Sequence, residues 1–248
     1  MSSFGDGVYV GDMKDDKPHG RGKMTYYDGR VFEGGWKDGM KNGRGTHTSP
    51  CSSKFEGKYK NDKMHGRGKI TWANGESYEG YFKDDKMHGR GKYIWSDGHV
   101  YQGYFKDDKM HGQGKMIYAS GNVYEGQWEN GKMHGQGKIT HTNGDVYEGD
   151  YKDGKRHGRG KMIYACGNVY EGEFKDDTIH GQGKMIYASG NVYEGEYKDG
   201  KRHGRGKKIY HSGNVYECEY KDGEMIRFNN THKKMKKSPG ARVNSQRR

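Results

Sequence analysis

The stretch Gly112–Gly126 reads GQGKMIYASGNVYEG, and the same fifteen residues recur without change at residues 181–195. A third copy with two substitutions, GRGKMIYACGNVYEG, occupies residues 158–172. Near-identical copies of a segment of this length within one chain are typical of repeat architectures.

The copies belong to a strict period of 23 residues. Triplets of the form Y/F-x-G/C begin at Tyr9, Phe32, Phe55, Tyr78, Tyr101, Tyr124, Tyr147, Tyr170, Tyr193 and Tyr216. A second series, HGRG or HGQG, follows the same interval, with Asn42 replacing the histidine in the second unit. We therefore divide the chain into a lead-in at residues 1–8, ten units at 9–228 and a basic tail at 229–248, which we expect to be disordered.

One unit has the pattern of two β-strands. In Val192–Ile209, the side chains of Tyr193, Gly195 and Tyr197 fall on one face, because successive residues of a strand point to opposite faces. Asp199-Gly200 is a turn signal between the two strands, and Ser189-Gly190 is the turn before them. No helical period is present.

The predicted fold is all-β: an elongated, single-layered, twisted antiparallel sheet of tandem β-hairpins. Aromatic rings on one face can lie over glycines of the neighbouring strand and cover the exposed backbone. The other face, with its Glu, Lys, Arg and Gln side chains, is interpreted as solvated.

Composition and charge narrow the function classes. Only 29% of residues are hydrophobic, but 21 Tyr, 7 Phe and 4 Trp can form a thin aromatic core. No apolar stretch reaches the roughly 18 to 20 residues of a membrane span, and no secretory signal is visible. Cys51, Cys166 and Cys218 follow no metal or redox spacing, which fits free thiols in a reducing compartment.

The stretch Tyr193–Gly206, YEGEYKDGKRHGRG, closely resembles the MORN (membrane occupation and recognition nexus) repeat, and the resemblance covers all ten units. Departures are Met13 in the first unit, Asn42 and Pro50 in the second, and Cys218 in the last. We expect Pro50 to lie in a second strand and to remove a donor from its hydrogen-bond ladder.

The resemblance implies a non-catalytic scaffold or adaptor that binds proteins in a cytoskeletal, cortical or ciliary assembly. Two alternatives remain: a peripheral membrane adaptor that binds anionic phospholipids, and a regulatory subunit of a lipid kinase or methyltransferase. The expected location is the cytoplasm, at the cytoskeleton or cilium or at the inner face of a membrane. Dimerisation and binding of a partner's amphipathic helix are also implied.

Metal and nucleotide chemistry are not expected, nor is any cofactor. Equivalent histidines lie two strands, or roughly 9.6 Å, apart and cannot share a zinc ion, so a role in turns is favoured. No glycine stretch matches the phosphate-binding G-x-x-x-x-G-K-[ST] motif. Repeats occupy all but about 28 residues, which leaves no room for a catalytic domain, and nucleic acid is not an expected partner.

Two sets of residues are candidate contact sites. Exposed rings of a one-layer sheet could form a partner groove, for which the candidates are Trp72, Phe82, Trp95, Phe105, Tyr118, Trp128 and Tyr151. The tail could contact anionic surfaces through Lys233, Lys234, Lys236, Lys237, Arg242, Arg247 and Arg248. It could equally be a nuclear import signal or a solubilising end.

Overall fold

A computed structural model describes residues 2–4 and 6–230 of the chain. The chain divides into two compact units, each larger than a 23-residue repeat: unit 1 comprises residues 1–155 and unit 2 comprises residues 156–248. The tail residues proposed as anionic contacts, 233–248, lie outside the described residues.

Unit 1 is a single antiparallel sheet in which each strand pairs with its neighbours in sequence. Its described strands are β1 (Ser2–Phe4), β2 (Gly7–Lys14), β3 (Lys17–Tyr26), β4 (Val31–Lys37), β5 (Met40–Thr48), β6 (Lys54–Lys60), β7 (Lys63–Thr71), β8 (Ser77–Lys83), β9 (Lys86–Ile94), β10 (Val100–Lys106), β11 (Lys109–Ile117), β12 (Val123–Glu129), β13 (Lys132–Thr140) and β14 (Val146–Lys152).

Unit 2 has the same organisation. Its described strands are β15 (Lys155–Ile163), β16 (Val169–Lys175), β17 (Thr178–Ile186), β18 (Val192–Lys198), β19 (Lys201–Ile209), β20 (Val215–Lys221) and β21 (Glu224–Asn230). In both units all extensive contacts are between strands adjacent in sequence. The predicted fold class, an all-β, single-layered antiparallel sheet of tandem hairpins, is therefore confirmed.

The ends of the repeat region differ slightly from the sequence-based boundaries. Strand β1 lies in the lead-in and pairs with β2, from Ser2 opposite Tyr9 to Phe4 opposite Gly7. Strand β21 continues to Asn230, two residues beyond the end of the predicted tenth unit.

Two kinds of turn connect the strands. Within a hairpin, both turn residues have positive φ, as at Asp199 (49°) and Gly200 (79°), which is the type I′ geometry of tight hairpins. Between hairpins, a three-residue loop is closed by two backbone bonds: Tyr187 N–H donates to Asn191 O at 2.8 Å, and Gly190 N–H to Tyr187 O at 2.8 Å.

Pro50 corrects one expectation. Strand β5 ends at Thr48, and Pro50 is the first residue of the three-residue loop, so it removes no donor from the ladder. The loop keeps the common geometry, with Ser49 N–H donating to Ser53 O at 2.9 Å. The fixed φ of proline suits this first turn position, and Ser52 (φ 66°) takes the place of the usual glycine.

The core is built from rings that lie over pairs of facing glycines. Gly126 on β12 faces Gly137 on β13, and the ring of Tyr124 covers both. The Tyr124 hydroxyl donates to Gln127 O at 3.0 Å, and burial raises the pKa of this phenol. Trp128 and Tyr151 each meet the Tyr124 ring edge-to-face at 5.2 Å, which links successive hairpins.

The recurring His-Gly pair occupies a β-bulge. On β13, His134, Gly135 and Gln136 lie between Met133, which faces Trp128, and Gly137. Gly135 has a φ of 61°, a left-handed backbone conformation that non-glycine residues other than Asn and Asp rarely adopt. The bulge thus explains why the histidine is always followed by glycine.

The tenth 23-residue repeat departs from this pattern at Cys218. Its side chain is buried where other units have glycine, and it faces Gly206 on one side and Phe228 on the other. The ring of Tyr216 is only half-buried and stacks on Phe228 at 4.8 Å.

The ring-over-glycine arrangement predicts that Gly137→Ala lowers the free energy of unfolding by about 1–3 kcal/mol, because the new Cβ would collide with the Tyr124 ring. Gly75→Asn is the control for a substitution without a packing conflict: nothing lies within 4 Å of a Cβ there, and Asn is less strained than other residues at its φ of 87°. Urea unfolding followed by circular dichroism measures both. Equal losses in the two variants would contradict the proposed packing.

Candidate functional site

The histidines lie beside turns rather than beside one another. His65 Nδ1 is 3.7 Å from Asp84 Oδ1, and His157 Nδ1 is 3.7 Å from Asp176 Oδ1, so each histidine approaches the turn of the next hairpin. Among the described residues, no three His, Cys, Asp or Glu side chains are grouped as metal ligands. The position of these histidines beside turn aspartates is consistent with a role in the turns.

The seven candidate groove residues fall into two groups. Phe82, Phe105, Trp128 and Tyr151 are each 4–5% exposed and pack edge-to-face on the buried tyrosines. These four therefore belong to the core.

Trp72, Trp95 and Tyr118 are partly exposed. The rings of Trp72 and Trp95 lie 5.3 Å and 4.4 Å from that of Tyr93. Tyr118 meets the ring of His99 at 5.6 Å. A partner contact through these rings stays a prediction.

Unit 1 has a large groove on its other face, the one interpreted from sequence as solvated. It has a volume of about 2380 Å³ and extends over β2 to β14, from Val10 to Glu148. Backbone of the facing glycine pairs forms its floor, and ten Lys or Arg and five Glu side chains line it. The charged side chains that line the groove therefore carry an excess of positive charge.

Cross-strand ion pairs occupy one row of this polar face. Lys115 Nζ lies 2.6 Å from Glu125 Oε1, and Lys138 Nζ lies 3.9 Å from Glu148 Oε2. Unit 2 has the equivalent pairs Lys161–Glu171 and Lys184–Glu194, at 2.7 Å and 2.8 Å. The side chains are about half exposed, so each pair contributes little to stability.

Two exposed tyrosines interrupt the polar lining of the groove. Tyr81 and Tyr104 are 42% and 40% exposed. Arg67 Nε donates to the Tyr81 hydroxyl at 3.1 Å, and Arg90 Nε donates to the Tyr104 hydroxyl at 2.8 Å. Each guanidinium also lies over the ring of its tyrosine, at 5.2 Å and 5.1 Å from the centroid.

Sequence reasoning missed these tyrosines because it followed the aromatics of the repeat pattern. The sequence did contain a signal: by the alternation of side chains along a strand, Tyr81 and Tyr104 fall on the polar face, where an aromatic residue is unexpected. At the equivalent position, other 23-residue repeats have Gly35, Lys58 or Gln127.

The cysteines differ in accessibility: Cys51 and Cys166 are exposed and Cys218 is buried. Cys51 Sγ lies 3.0 Å from Ser49 Oγ and 3.7 Å from Ser53 Oγ. Hydrogen bonds from Ser49 first, and then from Ser53, lower the pKa of the Cys51 thiol to about 7.

A membrane-spanning helix would have to be both long and apolar, and residues 2–4 and 6–230 include none of this kind.

The family model described as MORN repeat matches nine segments of the chain. They are residues 9–29, 32–50, 55–77, 78–100, 101–123, 124–146, 147–169, 170–192 and 193–215. No match was found among curated protein sequences.

Similarity to solved structures is weak. The TCP10 domain of Danio rerio CPAP in complex with a peptide of STIL is 14% identical, with a TM-score of 0.41, and covers 90% of this chain and 100% of its own. The SAS-4 TCP domain of Drosophila melanogaster, in complex with a proline-rich motif of Ana2, is 13% identical, with a TM-score of 0.40 and coverage of 63% and 85%. At these values the likenesses have no bearing on function.

The serine contacts predict that the Cys51 thiol reacts with iodoacetamide with a midpoint near pH 7. Ser49→Ala removes the largest cause of the lowered pKa, so the midpoint should move to higher pH. An increase of about one pH unit makes the reaction at pH 7 roughly fivefold slower. Mass spectrometry of the labelled peptides measures each cysteine separately, with buried Cys218 as the internal unreactive control. An unchanged midpoint in the variant would exclude the serine effect.

Proposed function

Since this chain belongs to the MORN repeat family, we propose that it is a non-catalytic scaffold that binds other proteins. The matched segments cover more than half of the chain, and the match indicates no catalytic family. The chain presents open surface rather than an enclosed site, and this favours a scaffold role.

The groove of unit 1 carries this proposal. Its charged lining side chains stand on a glycine floor, while the rings that hold the sheet together lie on the opposite face. Apart from the core tyrosines, which lie on the opposite face, no polar or charged residue of the described chain is buried. An enzyme commonly perturbs its ionisable groups by burial, whereas an exposed polar groove with two tyrosines suits recognition of another chain.

The finer predictions from the sequence remain proposals. They are a cytoplasmic location at a cytoskeletal, cortical or ciliary assembly, an amphipathic helix as ligand, and homodimer formation. Attachment to anionic membranes through the basic tail and a role as regulatory subunit of a lipid kinase or methyltransferase are the alternatives.

The scaffold proposal predicts that the immobilised full-length chain captures a reproducible set of proteins from an extract of cells that express it. Deletion of residues 231–248, which begins after strand β21, should leave this set unchanged, because the groove is made by unit 1. Quantitative mass spectrometry against a tag-only control measures the enrichment.

The membrane alternative is tested on the same two proteins by sedimentation with vesicles of phosphatidylserine and phosphatidylcholine. Absence of protein capture, together with vesicle binding that requires residues 231–248, would replace the scaffold proposal with the membrane adaptor. Capture no greater than that of the tag alone would refute the scaffold proposal.

A further inference from the structure

We propose that the groove of unit 1 docks an acidic segment of a partner protein along a stripe of five cations flanked by two tyrosines. This arginine stripe consists of Arg21, Arg44, Lys58, Arg67 and Arg90, all exposed and all lining the groove. The inference rests on the proposed scaffold function and adds the site and the chemistry of the ligand.

The stripe follows one register position across the sheet of unit 1. Arg21 faces Gly35, Arg44 faces Lys58, and Arg67 faces Tyr81. Arg90 faces Tyr104. Among the described residues, none of these arginines has an acidic register partner; the one carboxylate beside them, that of Asp12 in the bulge of β2, accepts a hydrogen bond from the backbone N–H of Arg21 at 2.9 Å.

The stripe ends within unit 1. Gln113 faces Gln127, and Gln136 faces Asp150, to which its side-chain amide donates a hydrogen bond. The positive charge of this row is therefore concentrated over β3 to β9.

Unit 2 shows what the same position looks like when its charge is balanced. There Arg159 faces Glu173, and Arg205 faces Glu219. The arginines of the stripe have no glutamate opposite them, and within the described residues no ion pair involves any member of the arginine stripe. The guanidinium groups of unit 1 thus remain available to an external anion.

The pair Arg44 and Lys58 strengthens the argument. Like charges placed directly opposite each other in a sheet are destabilising. The side chain of Lys58 also lies beside Gly66, next to Arg67. Three adjacent strands therefore bring three cations together, an arrangement that a bound carboxylate would relieve.

The neighbouring row does not neutralise the stripe. Glu56 is 2.8 Å from Lys54 and faces Lys69 on β7. Glu79 faces both Lys69 and Lys92. These glutamates therefore already have lysines outside the stripe as neighbours.

Tyr81 and Tyr104 give the stripe a second kind of contact. Each accepts a hydrogen bond from the Nε of its arginine, which leaves the Nη donors of Arg67 and Arg90 free to bind a carboxylate. The exposed ring faces can pack against the ligand's backbone or apolar side chains. A protein segment can use both kinds of contact, with carboxylates on the arginines and its backbone or apolar side chains on the tyrosine rings.

The spacing of the stripe specifies the ligand. Arg44, Arg67 and Arg90 lie on β5, β7 and β9, so adjacent members are two strands, or roughly 9.6 Å, apart. In a polyproline II helix, which has three residues per turn, acidic residues at every third position lie on one side of the ligand and about 9.3 Å apart. In an α-helix the matching spacing is seven residues, about 10.5 Å.

The test measures binding of a fluorescent peptide with Glu at every third position to the full-length chain by fluorescence anisotropy. We expect it to bind more tightly than the same peptide with Gln in place of Glu, and to weaken as salt is raised. Combined Arg44→Gln, Arg67→Gln and Arg90→Gln should weaken binding roughly tenfold. Gln occupies the same position at Gln113 and Gln136, so the fold should tolerate it; circular dichroism checks this.

The matched control is Arg205→Gln in unit 2, where Glu219 faces the arginine. It should leave the affinity unchanged, and the basic tail is identical in all variants, so its contribution cancels. Equal binding of the Glu and Gln peptides, or an unchanged affinity of the triple variant, would overturn the proposal. A triple variant that loses only phosphatidylserine-vesicle binding would assign the stripe to membranes instead.

The outcome is separable from that of the scaffold proposal. If the triple variant captures the same cellular proteins as the parent chain, the scaffold function stands and the arginine stripe is not its site. If the parent chain captures no protein, the scaffold function falls, while the peptide titration still reports on the stripe.

Discussion

Everything in this sheet depends on the space above two facing glycines. Where Gly126 meets Gly137, the absence of both side chains leaves room for the ring of Tyr124 to lie flat against the backbone. That ring then presents its sides to Trp128 and Tyr151, and the chain of edge-to-face contacts continues along the unit. A one-layer sheet with few aliphatic residues can form a dry core in this way without a second layer.

Repetition and alternation along the chain make much of the fold predictable from sequence. The 23-residue period located the hairpins, and the parity of Tyr193, Gly195 and Tyr197 placed rings and glycines on one face. The groove was missed because alternation distinguishes two faces but does not say which one a sheet curves around. Pro50 was misplaced because a strand and a three-residue loop are continuous in sequence, and only the backbone bonds of the loop mark the boundary.

The division of labour between the two faces explains where this chain can vary. A residue on the ring face is closely packed against its neighbours, so only side chains of matching size and shape are accommodated there. The position that holds Gly35, Lys58, Tyr81 and Gln127 lies on the polar face, outside the ring packing, and four different residue types occur there. Specificity for a ligand can therefore change at this position without any change in the packing that maintains the sheet.

The joints between hairpins also have a consequence for how the chain folds. Gly154 N–H, in the turn of one hairpin, donates to Met133 O of the hairpin before it, at 2.9 Å, and Gly131 makes the same bond to Met110. Every such joint closes over a short stretch of chain, which gives the protein a low contact order. During synthesis each new hairpin finds its docking edge already present on the one that left the ribosome before it.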